Sequence, residues 1–295
     1  MKILVIGCGL LGKKLFEKLE EQNFEVYGSF FEHPIEKDHC FHLDITKKAD
    51  VTQSVKKYSP DIIIQTSAMT NVDECETKRN QASNVNVQGT KNVASAAEKQ
   101  QALLMYISTD YVFDGEQGLY KEDDRVNPIN YYGLTKLEGE NAVRLLCTRY
   151  IIARTSVLYG AQTHNFATWL VQKLGNNEKV TIVQDQFVSP TLNVDLAEQL
   201  IALIQSNMLG VFHTAGAERI DRYAFACCIA DEFGFDTHLI TAGHMKDMKW
   251  NARRPKDSSL DISKISKIKT PYSVQHAVRL LHEEIKGKIQ KDTLK

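Results

Sequence analysis

The N-terminal stretch Lys2-Ile3-Leu4-Val5-Ile6-Gly7-Cys8-Gly9-Leu10-Leu11-Gly12 places an apolar run directly before a G-x-G-x-x-G motif. We predict a buried strand over Lys2 to Ile6 and an amphipathic helix from about Leu11 to Glu21. In such a setting the first glycine permits a tight turn, the second lets a pyrophosphate approach the backbone, and the third lets the helix pack on the strand. The motif therefore predicts a dinucleotide site at the helix N-terminus, formed by Gly7, Cys8, Gly9, Leu10, Leu11 and Gly12.

The pattern that follows the motif alternates between short apolar strands and helices. Strands are predicted over Glu25–Ser29, Phe41–Leu43, Asp61–Gln65, Leu103–Ile107 and Tyr150–Arg154, and helices over Lys47–Tyr58 and Asn80–Lys99. This alternation is typical of an α/β protein with a Rossmann-type doubly wound parallel sheet. We expect residues 1–155 to form the dinucleotide-binding domain, with segments at about 192–215 returning to it. Residues 156–295 are expected to form a smaller mixed α/β C-terminal substrate domain from non-contiguous pieces.

A second stretch, from Ser108 to Lys136, has the features of a catalytic centre. The strand before it delivers Ser108 and Thr109 to the carboxyl edge of the sheet, where such folds bind ligands. Tyr132 and Lys136 are four residues apart and share one face of the next helix. A free tyrosine titrates near pH ~10, and a neighbouring cation favours its ionised form. Tyr132 can then exchange a proton with a substrate oxygen that Thr109 or Ser108 also holds; the alternative is a surface tyrosine beside a solvated lysine.

Further residues are expected to line the dinucleotide. Asp44 and Ile45, at the end of the third strand, are placed to cover an adenine ring, and the small residues Ser67 and Ala68 lie where the backbone would pass the nicotinamide ribose. The second strand ends in Gly28-Ser29-Phe30-Phe31-Glu32-His33, which has neither an acid at its tip nor an arginine for a 2′-phosphate. The choice between NADPH and NADH therefore stays open. Asn84 and Asn86 are either surface polar residues or hydrogen-bond partners of the active-site strand.

Composition excludes several classes of function. The chain has 295 residues, a formal net charge of −1 and a pI of about 6.8, so no electrostatic case exists for nucleic acid or for an anionic membrane surface. The six cysteines show no metal-ligand or C-x-x-C spacing, and no apolar run approaches the ~20 residues that cross a bilayer. We expect a soluble cytoplasmic protein with reduced thiols and no metal site.

The motifs together resemble the extended short-chain dehydrogenase/reductase superfamily and, within it, the dTDP-4-dehydrorhamnose reductase family. Besides the glycine motif, the resemblance rests on four stretches: Ser108-Thr109-Asp110-Tyr111-Val112-Phe113-Asp114-Gly115, Tyr132-Gly133-Leu134-Thr135-Lys136, Asp185-Gln186 with Pro190-Thr191, and Arg254-Pro255 with Ser258 to Asp261. It implies reduction of the 4-keto group of a nucleotide-linked deoxysugar by NADPH or NADH. The motifs that carry the resemblance span almost the whole chain.

The resemblance also implies roles for individual residues. Thr109, Tyr132 and Lys136 would be the catalytic triad, with Tyr132 as the acid and Lys136 also holding the nicotinamide ribose. The substrate would contact Thr70, Val72, Ser108, Thr109, Val157, Asn165, Phe166 and Arg254, the last at its diphosphate. Two positions depart from the family, because Val157 stands where a tryptophan is common and Met69 where a tyrosine is common. The particular hexose is therefore left open.

Two alternatives remain at this stage. The same motifs resemble the regulatory subunit of methionine adenosyltransferase, a dinucleotide-binding partner protein, and they also permit a nucleotide-sugar epimerase that keeps its cofactor bound. The sequence leaves open a homodimer and any dependence on Mg²⁺.

Overall fold

The computed structural model of the protein describes residues 1–34 and 37–292. Its strands, in chain order, are β1 Lys2–Ile6, β2 Glu25–Phe30, β3 Cys40–His42, β4 Ile62–Gln65, β5 Leu103–Thr109, β6 Tyr150–Thr155, β7 Leu158–Tyr159, β8 Val180–Val183, β9 Phe187–Val188, β10 Thr191–Leu192, β11 Gly210–His213, β12 Ile220–Asp221 and β13 Ile240–Gly243. Its α-helices are α1 Leu10–Glu21, α2 Lys48–Tyr58, α3 Val72–Thr77, α4 Arg79–Ser83, α5 Thr90–Gln100, α6 Tyr131–Leu146, α7 Phe166–Gly175, α8 Asn193–Gln205, α9 Arg222–Phe233 and α10 Val274–Asp292.

A seven-stranded sheet organises the molecule. Its strand order is β11-β6-β5-β4-β1-β2-β3, and every neighbouring pair is parallel. The chain moves outward from β1 in one direction to β3 and then in the other direction through β4, β5 and β6. This reversal beside β1 is the topological switch point at which doubly wound sheets bind ligands. The predicted fold class is confirmed.

Alternating side chains of the sheet supply two separate cores. Ile3 and Val5 of β1 face a cluster that includes α1 and α8, whereas Leu4 and Ile6 face a cluster with α2, α5 and α6. This follows from the two-residue period of a strand, which sends successive side chains to opposite faces. Because α8 packs beside α1 and β11 pairs with β6, residues from beyond position 190 complete the large sheet. Its two faces are therefore both covered by helices.

A third core lies in the C-terminal half. It is built mainly from α7, α9 and α10, with Leu170, Phe225 and Val278 among its buried side chains. Three short strand pairs lie within this half: β7 with β10, β9 with β12, and β8 with β13. Within residues 1–34 and 37–292, no helix combines the length and the apolar character that a membrane span requires.

The sequence predicted a single helix over Asn80–Lys99, and this prediction was wrong for the middle of the segment. The segment contains α4, a π-helical turn over Asn84–Gly89, and α5. Gly89 in this turn lies against Ile45, so that a Cβ on the glycine would come within 2.6 Å of the Ile45 Cδ1 atom. Thr90 donates a hydrogen bond of 2.7 Å to the Asn86 carbonyl. The widened turn thus seats the helix closely against the loop after β3, and π-helical turns of this kind are frequent at functional sites.

Candidate active site

A cavity of about 610 Å³ opens at the carboxyl ends of the central strands. It brings together fourteen of the predicted site residues: Gly7, Gly9, Leu10, Leu11, Ala68, Thr70, Val72, Ser108, Thr109, Tyr132, Lys136, Val157, Asn165 and Phe166. Six predicted residues are not in its lining: Cys8, Gly12, Asp44, Ile45, Ser67 and Arg254. The glycine loop and the Ser108–Lys136 stretch, almost a hundred residues apart in sequence, therefore share one cavity.

The glycine loop has the backbone geometry that its sequence predicts. Gly7 has a φ of +101°, and a Cβ on it would lie 2.6 Å from the Ser67 nitrogen. A Cβ on Gly12 would collide with the Gly7 carbonyl, whereas one on Gly9 would meet no atom within 4 Å. No side chain caps the N-terminus of α1, and its first turn contains no acidic residue. Free amides at a positive helix end fit the pyrophosphate of a dinucleotide.

Helix α6 places its first residues beside the end of β5. The Asn130 side chain accepts a hydrogen bond of 2.8 Å from the Gly133 amide, which caps the helix, and donates one of 2.9 Å to the Arg253 carbonyl. One cap therefore fixes both the start of α6 and the approach of the C-terminal loop. Tyr132 and Lys136 lie in the first two turns of this helix and both line the cavity.

The Thr109 side chain adjoins the Tyr132 phenol, and both line the cavity. The Thr109 hydroxyl also donates to the Asp110 carboxylate at 3.0 Å and accepts from the Tyr111 amide at 3.2 Å. Burial raises the pKa of Tyr132 above its ordinary value, and the contact with Thr109 opposes that rise. The phenol is thus shifted away from ionisation, contrary to the expectation for a tyrosine beside Lys136, and desolvation of the charged form is the largest cause.

Lys136 is 3% exposed and is directed toward the sheet. Its ammonium group donates a hydrogen bond of 2.8 Å to the Ile107 carbonyl and lies 4.1 Å from the centroid of the Tyr106 ring. Burial lowers the pKa of Lys136 to about 7, and the negative charge of Glu140 opposes the change. The lysine therefore has no surface role, which removes the alternative of a solvated pair.

Beneath the cavity, Glu140 holds a buried ionic network. Its carboxylate accepts hydrogen bonds of 2.8 Å from both Nε and Nη2 of Arg154, one of 2.7 Å from the Ser108 hydroxyl, and one of 3.2 Å from Arg144. Arg154 and Glu140 are 1% and 0% exposed. Ser108 donates its hydroxyl proton to Glu140, whereas the Thr109 side chain adjoins the Tyr132 phenol, so the geometry favours Thr109 as the hydroxyl that acts with Tyr132.

Asp110 connects the end of β5 to the C-terminal segment. Its buried carboxylate accepts hydrogen bonds from the hydroxyls of Ser156, at 2.9 Å, and Ser258, at 2.5 Å. Burial raises the pKa of Asp110 to about 6, and the three hydroxyl donors around it oppose that shift. The Ser258–Asp261 motif therefore reaches the site through Asp110.

The π-helical turn contributes Asn86, which is buried, whereas Asn84 is exposed. The Asn86 side chain accepts from the Met69 amide at 2.8 Å and donates at 3.0 Å to both the Met69 carbonyl and the Thr135 hydroxyl. Asn86 thus connects the loop after β4 to α6. Its partners differ from the active-site strand that the sequence suggested, but it does position two walls of the cavity.

On the opposite wall, Asn165 and Val157 have constrained conformations. Asn165 caps α7 by accepting from the Ala167 amide at 3.0 Å, and it donates to the Gly160 carbonyl at 2.7 Å. Val157 has a φ of +41°, which is strained for a β-branched residue, and its carbonyl accepts from the Thr191 amide at 3.2 Å. Strained residues of this kind are common at ligand sites.

The Arg254 side chain does not line the cavity. Its guanidinium forms hydrogen bonds of 2.7 and 3.2 Å with the two carboxylate oxygens of Asp73, and one of 2.8 Å with the Ala252 carbonyl. Sequence reasoning did not identify Arg222, which does line the cavity.

The residues that the structure describes contain no group of three or more His, Cys, Asp or Glu side chains able to hold a metal.

Comparison with known proteins gives one consistent family. The sequence model described as RmlD substrate binding domain matches residues 1–286. The chain is 33% identical over 278 residues to the dTDP-4-dehydrorhamnose reductase of Aggregatibacter actinomycetemcomitans, covering 90% of this chain and 92% of that one. It is also 30% identical over 291 residues to methionine adenosyltransferase 2 subunit beta of Bos taurus, covering 92% and 85%.

Among solved structures, the chain is similar to dTDP-4-dehydrorhamnose reductase from Bacillus anthracis in complex with NADP. The TM-score is 0.88 at 31% sequence identity, and the match covers 96% of this chain and 99% of that one.

Proposed function

The chain belongs to the RmlD substrate binding domain family, and on this basis we propose that it reduces the 4-keto group of a nucleotide-linked deoxysugar. The substrate is dTDP-4-dehydrorhamnose or a close analogue, the product is dTDP-rhamnose or its analogue, and the reductant is NADPH or NADH. The observation that carries the proposal is that Thr109, Tyr132 and Lys136 line the same cavity as the glycine loop. The nicotinamide, when bound, supplies the hydride.

In this proposal Tyr132 gives a proton to the carbonyl oxygen as that oxygen becomes an alkoxide. Burial raises the pKa of the phenol, so Tyr132 is protonated at neutral pH and is a donor in the direction of reduction. The Thr109 hydroxyl, in contact with the same phenol, is the second hydrogen-bonding group for that oxygen. Lys136, whose ammonium group donates to the Ile107 carbonyl, would also hold the nicotinamide ribose.

Residues 7–12 are the proposed pyrophosphate cradle, since a free helix N-terminus and an open face at Gly9 fit an anion. Cys8, Gly12 and Ser67 support this cradle from behind, because Gly7 and Gly12 pack closely against their neighbours. Asp44 and Ile45 remain the proposed adenine contacts. We assign the dinucleotide to residues 1–155 with about 192–215, and the sugar nucleotide to the remainder of 156–295.

The proposed sugar contacts are Thr70, Val72, Val157, Asn165 and Phe166, all in the cavity lining. Valine at position 157 leaves more space beside the sugar than an aromatic side chain would.

The experiment is oxidation of NADPH and of NADH by the purified protein with dTDP-4-dehydrorhamnose, followed by the loss of reduced-nicotinamide absorbance. We expect substrate-dependent turnover with at least one cofactor, and a turnover lower by about 10²- to 10⁴-fold with Tyr132→Phe. The 30% identity to methionine adenosyltransferase 2 subunit beta supports one second candidate, a dinucleotide-binding partner protein without turnover. Cofactor binding without turnover on any 4-keto sugar nucleotide would favour that candidate.

Two further parts of the proposal are tested on the same material. A homodimer is tested by light scattering of the purified protein. A cytoplasmic location is tested by fractionation of the source cells.

A further inference from the structure

Arg222 is the first residue of α9, and several contacts fix its position. The Asp221 side chain caps the helix by accepting from the Ala224 amide at 2.9 Å, and the Arg222 amide donates to the Gln186 carbonyl at 3.1 Å. The guanidinium carbon of Arg222 lies 4.2 Å from the centroid of the Phe166 ring. Gln186, Phe166 and Arg222 all line the cavity.

The electrostatic setting of Arg222 is unfavourable for a cation. The N-terminus of a helix carries a partial positive charge, so acidic residues are preferred there and basic residues are disfavoured. Burial lowers the pKa of Arg222; the charges of Tyr111 and Asp110 oppose this change, and the charge of Arg254 adds to it. A guanidinium is nevertheless protonated at neutral pH. The fold therefore places a positive charge at this wall of the cavity.

The other arginines that are buried or half-buried have acidic partners. Arg144 and Arg154 pair with Glu140, and Arg254 pairs with Asp73. Arg222 is half-buried, and no carboxylate of the described residues, 1–34 and 37–292, lies within ion-pair distance of its guanidinium. A partly desolvated cation without an internal partner, facing a cavity, is the arrangement that binds an anionic ligand.

We propose that Arg222 binds the diphosphate of the nucleotide sugar and is a specificity-determining residue for the substrate. The inference rests on the proposed reductase function. Arg254, neutralised by Asp73, is then a positioning residue that holds the loop before α10. The dinucleotide also carries a pyrophosphate, but that group has its own cradle at residues 7–12, whereas Arg222 adjoins Gln186 and Phe166 of the C-terminal half.

The test compares Arg222→Gln, Arg222→Lys and the control Arg219→Gln, whose parent side chain pairs with Asp257 outside the cavity lining. Five quantities are measured: KM and kcat for the sugar nucleotide, the Kd of NADPH, and the Kd values of dTDP and of thymidine. We expect Arg222→Gln to raise the substrate KM and the dTDP Kd about 10- to 100-fold, because charge-assisted hydrogen bonds are lost. The NADPH and thymidine affinities should stay within about twofold, Arg222→Lys should be intermediate, and Arg219→Gln should behave as wild type.

Three results would overturn the inference. The first is an unchanged dTDP Kd in Arg222→Gln, and the second is an equal loss for thymidine, which has no phosphate. The third is a loss confined to NADPH, which would assign Arg222 to the other pyrophosphate. A failure of the reductase proposal gives a different result, because wild-type protein would then show no turnover. The Kd values of dTDP and thymidine would still test whether Arg222 binds the diphosphate. If wild-type protein binds no nucleoside diphosphate, the role of Arg222 is rejected as well.

Discussion

Replacing Glu140 with alanine should destabilise the protein strongly, although the residue contacts no ligand in the proposed reaction. The carboxylate receives two hydrogen bonds from Arg154 and one each from Ser108 and Arg144. Without it, the guanidinium of Arg154 keeps only a bond of 3.3 Å to the Glu122 carbonyl, and its side chain is 2% exposed. An uncompensated buried charge of this kind costs about 3 to 5 kcal/mol.

The corresponding change in melting temperature can be worked from the chain length. With an unfolding entropy of about 2.1 cal/mol/K per residue, 295 residues give about 0.6 kcal/mol/K, so the midpoint should fall by about 5 to 8 °C. Thermal unfolding at neutral pH, followed by circular dichroism, measures this shift. Glu138→Ala is the matched control, since Glu138 is exposed on the same helix and its loss should change stability by less than about 0.5 kcal/mol.

A double variant separates the lost charge partner from lost packing. Glu140→Leu combined with Arg154→Met removes both charges and keeps side-chain volume, so most of the stability should return. If Glu140→Ala melts within about 2 °C of wild type, the reasoning on the buried pair is refuted.

Four further outcomes are expected. Tyr132→Phe should fold and bind cofactor but lose about 10²- to 10⁴-fold in kcat, since only the proton donor is removed; steady-state kinetics that retain most of the rate would assign the acid elsewhere. Thr109→Ala should lower kcat more than Ser108→Ala, which should mainly lower the melting temperature through the Glu140 network; the reverse order in the two assays would exchange their roles. Gly9→Val should fold, because its Cβ meets open space, yet bind no NADPH in a titration, and unaltered affinity would move the pyrophosphate away from this loop. The Lys136 pKa of about 7 lies below its ordinary value, so above pH 7 the unfolded chain binds more protons than the folded one. This group should therefore add stability as the pH rises, which denaturant titrations at neutral and alkaline pH measure. The Lys136→Met variant should lose that gain.

The fold was predictable because its signals are local. The apolar run before Gly7, the glycine spacing and the regular alternation of strands and helices each depend on neighbouring residues only. The same holds for Tyr132 and Lys136, whose spacing of four residues places them on one helix face once Asn130 has capped the helix.

The electrostatics of the site were not predictable in the same way. The sign of the pKa shift of Tyr132 depends on burial, which no window of sequence displays. Arg254 pairs with Asp73, a partner 181 residues away, so its distance from the cavity lining follows from tertiary structure alone. Arg222 had no distinguishing motif, because its significance comes from the absence of an acidic partner among residues 1–34 and 37–292, which only the folded structure reveals. The π-helical turn at Asn84–Gly89 likewise reflects packing of Gly89 on Ile45.

The position of β11 in the large sheet has a consequence for synthesis on the ribosome. A nascent chain that ends after β6 carries six of the seven strands but leaves the outer edge of β6 unpaired and the apolar side of α1 without α8. At about 5 to 20 residues per second, the roughly 58 residues up to the end of β11 take about 3 to 12 s to arrive. During this interval the open edge can pair with another chain. We therefore expect slower translation between β6 and β11 to lengthen the time for which this edge is exposed.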